Sequence, residues 1–379
     1  MVVSAAYFLI GATLGSMGPI SGEVRHELHL SGTVTGLHGS MFGWSLLTFG
    51  LAAHWLLRTV GAVRLFEAGL VTVMLGVVVL GTGHHVAITL AGAALIGVGA
   101  ASLVLVMPPL LNHHHAEGDR VRALTFANGI SVLGNLGALA AIAASLRLGW
   151  GWRWTMVVIG LAVGGPTLVA GARRHLRQGH DRDSGAPDHA ARLLLTHPTV
   201  RARWLVLALG ISVEFAVLLW GSSALQELGH ARPAVGALAI GLFSGGMALG
   251  RFMGPRWLRV QKRRDVLRGS FGLAFAASFA LRYGPGLPGR IGGLLVLGLA
   301  VALMYPVGFS RLYVDDLPSS SAGAVGALAS GTAVTFAPLA LGALADLAGL
   351  GSALFIIPAL ALAGLVLVTQ QPDDRPLGG

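Results

Sequence analysis

Apolar stretches of roughly 20 residues, the length of helix that crosses a bilayer core, recur along this chain with short polar hinges between them. In hydrocarbon no water is available to satisfy a backbone, so only helices and closed barrels can span it. These runs are too long for barrel strands. Composition agrees: 54% of the 379 residues are hydrophobic and 11% are charged, whereas a soluble domain carries about 25% charged residues. The mean hydropathy is +0.74. The pattern therefore predicts an all-α integral membrane protein. Spans are expected near 2–20, 33–56, 63–81, 86–108, 123–146 and 152–171, then near 203–224, 233–254, 266–283, 289–311, 321–345 and 350–369. The first run has no basic leader and no small-residue cleavage pattern, so it reads as a retained span rather than a signal peptide.

The net charge of +10 does not imply nucleic acid as a partner. The basic residues collect in a few connections rather than along one helical face. With the N-terminus inside, internal connections hold 19 of the 26 Lys and Arg residues and external ones hold 6. A miscounted span would destroy that bias. Twelve spans with both termini cytoplasmic, in an inner membrane, satisfy it. The largest polar piece, Ala172 to Arg201, divides the chain almost in half. The expected organisation is an N-terminal six-helix bundle over 1–172, a cytoplasmic linker over 173–202 and a C-terminal bundle over 203–379. The linker reads as a solvated tether, with attraction to anionic lipid as the alternative.

Enzymatic signals are missing. There is no phosphate-binding Gly-rich loop ending in Lys-Ser or Lys-Thr, no His-Glu-x-x-His and no Gly-x-Ser-x-Gly. Cysteine is absent, which excludes disulfides and thiol chemistry. Neither an enzyme nor a cofactor is expected. His113, His114 and His115 are consecutive on a short connection and point in different directions, so they read as solvated rather than as a metal site, and His84 and His85 read the same way.

The halves look like weak repeats. Met107-Pro108-Pro109 in the fourth span has its counterpart in Met304-Tyr305-Pro306 in the tenth, and the turn holding Gly50, Arg58, Gly61 and Arg64 has one in Gly250, Arg251, Gly254 and Arg256. Further features are Gly15-Ser16-Met17-Gly18-Pro19, Gly149-Trp150-Gly151-Trp152-Arg153-Trp154 opening the sixth span, and Pro338 to Asp346 closing the eleventh. Together these resemble the major facilitator superfamily over essentially the whole chain. The resemblance implies two pseudo-symmetric six-helix bundles related by an axis along the membrane normal. It also implies a monomeric secondary transporter that moves a small molecule by alternating access. The chain departs from the family at the loop after the second span, where His54 stands at the usual aspartate position. Only Arg58, Gly61 and Arg64 remain of that conformational latch, with Glu67 as a substitute acid and Arg251 as the counterpart in the second half. The arginine that drug antiporters carry in the fourth span is missing, since Val86 to Pro109 holds no charge. The fifth span also lacks their Gly-Pro pair.

Glu214 stands out near the middle of the seventh span. A charged side chain at that depth costs about 2.5–3.5 kcal/mol on insertion scales, so it must face a cavity or a partner. The resemblance puts that span beside the central cavity, which makes Glu214 the candidate proton carrier; a structural bond to a neighbouring helix is the alternative. His38 is a second candidate because imidazole titrates near neutrality, although a helical histidine is more often a packing residue. Asn128, Ser131 and Asn135 share one face of the fifth span. With Trp44, Trp220 and Tyr305 they are candidate substrate contacts, their alternative role being interhelical packing. The apolar cavity helices suit an amphipathic solute better than a sugar phosphate or an inorganic anion, since an anion would want an arginine in mid-span and none is found there. The expectation is therefore a proton-coupled carrier of a small organic molecule, with efflux slightly preferred to nutrient uptake. A non-transporting receptor or scaffold on the same fold is the rival of another class.

Overall fold

A computed structural model describes residues 2–113, 117–173, 196–260, 262–312 and 319–371. Most of the linker, with His114, His115 and Arg375, lies outside the described residues. Twelve helical rods follow one another: α1 (Val2–Leu28), α2 (Gly32–Thr59), α3 (Ala62–Thr82), α4 (Val86–His113), α5 (Glu117–Arg147), α6 (Arg153–Arg173), α7 (Pro198–Gly229), α8 (Pro233–Val260), α9 (Arg263–Tyr283), α10 (Gly286–Ser310), α11 (Ser319–Ala348) and α12 (Leu350–Gln370). Among the described residues, ten are long and apolar enough to cross a membrane. The two more polar rods are α2 and α9. In α2 the polar groups are satisfied against protein, as when the Ser40 hydroxyl donates to the Thr335 carbonyl at 2.6 Å. In α9 the charges crowd the ends, at Arg263, Arg264, Asp265, Arg268 and Arg282.

Several helices outrun the apolar stretches that predict them. α1 continues past residue 20 to Leu28, and α7 begins at Pro198 rather than near 203. Proline suits a first helical position, where its missing N–H has no partner to lose. α1 is two helices, Val2–Gly15 and Met17–Leu28, joined at Ser16. Pro19 falls in the first turn of the second, so it breaks nothing.

The repeat is visible in the ends of the rods. α1 closes on His29 (φ 52) and α7 on His230 (φ 50), both left-handed. In each, the next residue's N–H reaches back into the last turn, Leu30 to the Arg25 carbonyl and Ala231 to the Leu225 carbonyl. Gly151 (φ 74) precedes α6, and Gly349 (φ 78) precedes α12. The packing repeats as well. α3 lies on α4 and α6 as α9 lies on α10 and α12, and α1 lies on α5 as α7 lies on α11. The halves meet through α2 along α11 and through α5 along α8, two contacts that exchange when the halves are swapped.

Glycine makes the α2–α11 contact possible. A Cβ on Gly36 would lie 2.6 Å from the Pro338 carbonyl oxygen, and one on Gly43 would overlap Thr335. Toward the other end the rods part, and the nearest atom to a Cβ on Gly50 is Ala327 Cβ at 3.9 Å. Gly36→Ala is therefore expected to destabilise the protein by about 1–3 kcal/mol through overpacking, with a lower melting temperature in detergent. Gly50→Ala is expected to be neutral or stabilising, because alanine costs a helix less than glycine.

Candidate functional site

Charge is scarce inside this molecule. Among the described residues only Glu214 and Arg251 are ionisable by charge and lie nine or more residues from both ends of their helices. The structure joins them: Arg251 Nη2 is 3.8 Å from Glu214 Oε1. At 1.5 Å per residue, Glu214 lies about 22 Å and Arg251 about 27 Å from the ends of α7 and α8 that meet at Gly229 and Pro233. Glu214 thus lies at the middle of α7, and Arg251 lies about a third of the way into α8 from the Val260 end. A third rod completes the arrangement. α10 is interrupted at Ala302 and Leu303, and Arg251 Nε donates to the Ala302 carbonyl at 3.3 Å. Small residues bring α8 that close, since a Cβ on Gly250 would press on the Ala302 methyl.

The pair is not sealed. The Glu214 side chain is 13% exposed and that of Arg251 is 38%. Glu214 contributes no atom to the buried side-chain polar groups that lack a partner, and Arg251 is an exposed residue, so both remain within reach of solvent. Arg251, counted above with the connection after the eighth span, therefore stands inside α8 at nearly the depth of Glu214. Arginine is present in mid-helix after all.

The opposite face is bolted. Arg25 at the end of α1 pairs with Glu227 at the end of α7, and its guanidinium lies 5.8 Å from the Trp220 ring. Asp346 of α11 caps the start of α2, accepting the N–H of Gly32 and, at 2.7 and 2.6 Å, the N–H and hydroxyl of Thr33. That carboxylate satisfies donors every helix leaves open and opposes the positive end of the α2 dipole. Inside the first half, the Trp152 ring N–H and the Arg153 guanidinium both donate to Glu27, at 2.9 and 2.6 Å. Arg153 also donates to the last carbonyls of α3, at Leu80, Gly81 and Gly83. The Trp-Arg motif opening α6 is thus the clamp that holds the ends of α1, α3 and α6 together.

The other candidate residues take separate places. His38 is buried between α2 and α4, with Nδ1 2.8 Å from the Val34 carbonyl and Nε2 3.0 Å from the Thr89 hydroxyl. It does not neighbour Glu214. Asn135 donates to the Ser244 hydroxyl at 2.9 Å and so links α5 to α8 across the halves. Ser131 sits where Gly11 of α1 approaches α5, and Asn128, one turn earlier, is exposed. Trp220 is fully buried and donates to the Pro338 carbonyl at 3.1 Å, against the proline that lies within α11. Trp44 is half exposed and meets Phe336 edge to face. Tyr305 is 38% exposed, stacks on Phe309 and lies one turn beyond Ala302. Of the latch residues, Gly61 adopts φ 86, which favours glycine. Arg58 and Arg64 are exposed beside it, and the His54 side chain lies outside the described residues. Arg251 is with Glu214 rather than with that turn. Sequence reading missed the Asp346 cap and the Arg25–Glu227 pair; acids and bases at both rims were the available signal.

Twelve helices in two swapped halves, closed at one face and carrying one accessible charge pair inside, describe a membrane carrier. A sequence model of the Major Facilitator Superfamily matches residues 3–334. The chain belongs to the major facilitator superfamily, and it is a secondary transporter rather than an enzyme. It is 27% identical to the uncharacterized transporter YycB of Bacillus subtilis (strain 168) over 156 residues, 40% of this chain. The matched segment spans 38% of that relative's length. The fold aligns with the nucleoside transporter NupG at a TM-score of 0.78 and 13% identity, covering 97% of this chain and 96% of the other. It aligns with a bacterial homologue of the human lysosomal transporter Spinster, in an inward-facing and unoccupied conformation, at 0.73 and 14%, covering 97% and 95%.

Asp346→Asn keeps the size of the cap and removes its charge. Losing a helix cap costs about 1 kcal/mol, which is roughly a fivefold shift toward conformers open at the capped face. Spin labels on cysteines placed at His26 and Leu347, in this cysteine-free chain, would report the shift as added long distances. An unchanged distance distribution would show that the cap does not hold the face closed.

Proposed function

We propose that this transporter is a proton-coupled carrier of a small organic solute, working by alternating access in the cytoplasmic membrane with both termini inside. The halves, 1–172 and 203–379, rock about their shared contacts while 173–202 tethers them. The observation that carries the reading is Glu214, an acid deep in α7 that remains accessible. Glutamate in that setting exchanges a proton with the open side, and the exchange changes the charge that the surrounding helices must accommodate. In the conformation described, the far face is closed by Asp346 and by Arg25–Glu227, so the pair is approached from the face of the termini. The arginine-rich connections support placing that face inside.

Apolar, charge-poor cavity helices favour an amphipathic solute and hence efflux. The position of Arg251 favours the second reading, uptake by proton symport, because a guanidinium within reach of the interior is not needed for an apolar cargo.

Purified wild type and Glu214→Gln in proteoliposomes, under an imposed pH gradient, test the coupling. Lumenal pH is followed while amphipathic drugs, sugars and organic acids are added in turn. Solute-dependent proton movement is expected in the wild type and a loss of at least about tenfold in the variant, the factor that 1.4 kcal/mol represents. Its sign separates antiport from symport. Equal proton movement in the two proteins would remove Glu214 from the mechanism.

A further inference from the structure

We infer that the solute is a small anion, a carboxylate or a group of like geometry, and that Arg251 is the residue that binds it by exchanging Glu214 for the solute. This rests on the second of the two proton-coupled readings, symport, and names its substrate class. Three observations carry it. First, the pair is loose. A structural ion pair in a low-dielectric interior is favourable only when its geometry is excellent and the remaining donors are satisfied. Here the nitrogen–oxygen distance is 3.8 Å, longer than the 2.7–2.9 Å of a charge-assisted hydrogen bond.

Second, the guanidinium is anchored but unfilled. Nε is committed to the Ala302 carbonyl and Nη2 faces Glu214. Nη1 has no hydrogen bond among the described residues, and the side chain is 38% exposed. A planar fork with one edge held and the other accessible is what bidentate recognition of a carboxylate requires. Third, one wall of the site is an interrupted helix. α10 is broken at the very carbonyl that holds Arg251, and the aromatic pair Tyr305 and Phe309 continues from the break.

Coupling follows from charge balance. With Glu214 ionised, Arg251 is neutralised by it, and an incoming anion would add an uncompensated negative charge. Protonation of Glu214 removes its claim on Arg251, whose positive charge then takes the solute's carboxylate. One proton and one monoanion occupy the site together and leave together, with no net charge moved. Deprotonation of Glu214 on the other side restores the internal pair and expels the anion.

The test uses full-length protein in proteoliposomes with pairs of organic acids and their neutral amides, together with sugars and amphipathic cations. Solute flux and lumenal pH are recorded together, for wild type, Arg251→Gln, Arg251→Lys and Glu214→Gln. Gel filtration and thermal unfolding of each variant establish that it is folded. At least one acid is expected to move tenfold or more faster than its amide, with protons entering alongside. Arg251→Gln abolishes the preference and Arg251→Lys keeps part of it. Proton-coupled flux confined to neutral or cationic solutes, or acids moving no faster than amides in any pair, overturns the inference; the former leaves the proton-coupled reading standing. Acid preference lost in Arg251→Gln while proton movement survives in Glu214→Gln sustains the anion site and defeats the coupling.

Discussion

The close approach of α2 to α11 and of α5 to α8 is the constraint on which the rest of this transporter depends. These contacts hold the halves together, and they do so through backbone and small side chains rather than interdigitated bulk. Gly36 lies against Pro338 and Gly43 against Thr335, while Ser40 and Asn135 supply single hydrogen bonds across the seam. In a membrane, lipid tails are as apolar as leucine, so association relies on packing and a few polar bonds. The charges that decide which face is closed sit at the rim of that seam.

Inside that frame the polar groups divide by task. Glu27, Trp152 and Arg153 bind helices within one half. Arg25, Glu227 and Asp346 join the halves at the far face. Glu214 and Arg251 belong to neither set: they sit within one half, deep in their helices, and stay accessible. What sets this pair apart is depth along its helices rather than exposure, since Glu227 and Glu27 at the rim are 44% and 39% exposed.

Much of the architecture was legible because hydrocarbon leaves so few options. Twelve apolar runs are enough to count helices, and an acid in mid-run is conspicuous against its neighbours. What was illegible has common causes. Hydropathy marks the stretch in lipid, not the helix, so α1 and α7 extend beyond their runs. Arg251 precedes a basic connection by only a few residues and was grouped with it, although the span expected near 233–254 contains it. An aromatic residue does not show which way it points, which is why Trp220, a candidate solute contact, lies sealed against α11.

By itself the sequence determined the class of molecule: the cost of exposing a backbone or a charge to hydrocarbon acts locally, residue by residue, and leaves its mark in composition and period. The tertiary structure alone decided which groups meet. Asp346 caps a helix whose first residue is 314 positions away, and Arg251 reaches Glu214 because α7 and α8 run antiparallel at glycine-close range beside a broken α10. Pairing between distant residues depends on helix rotation and depth, and neither is written in any one segment.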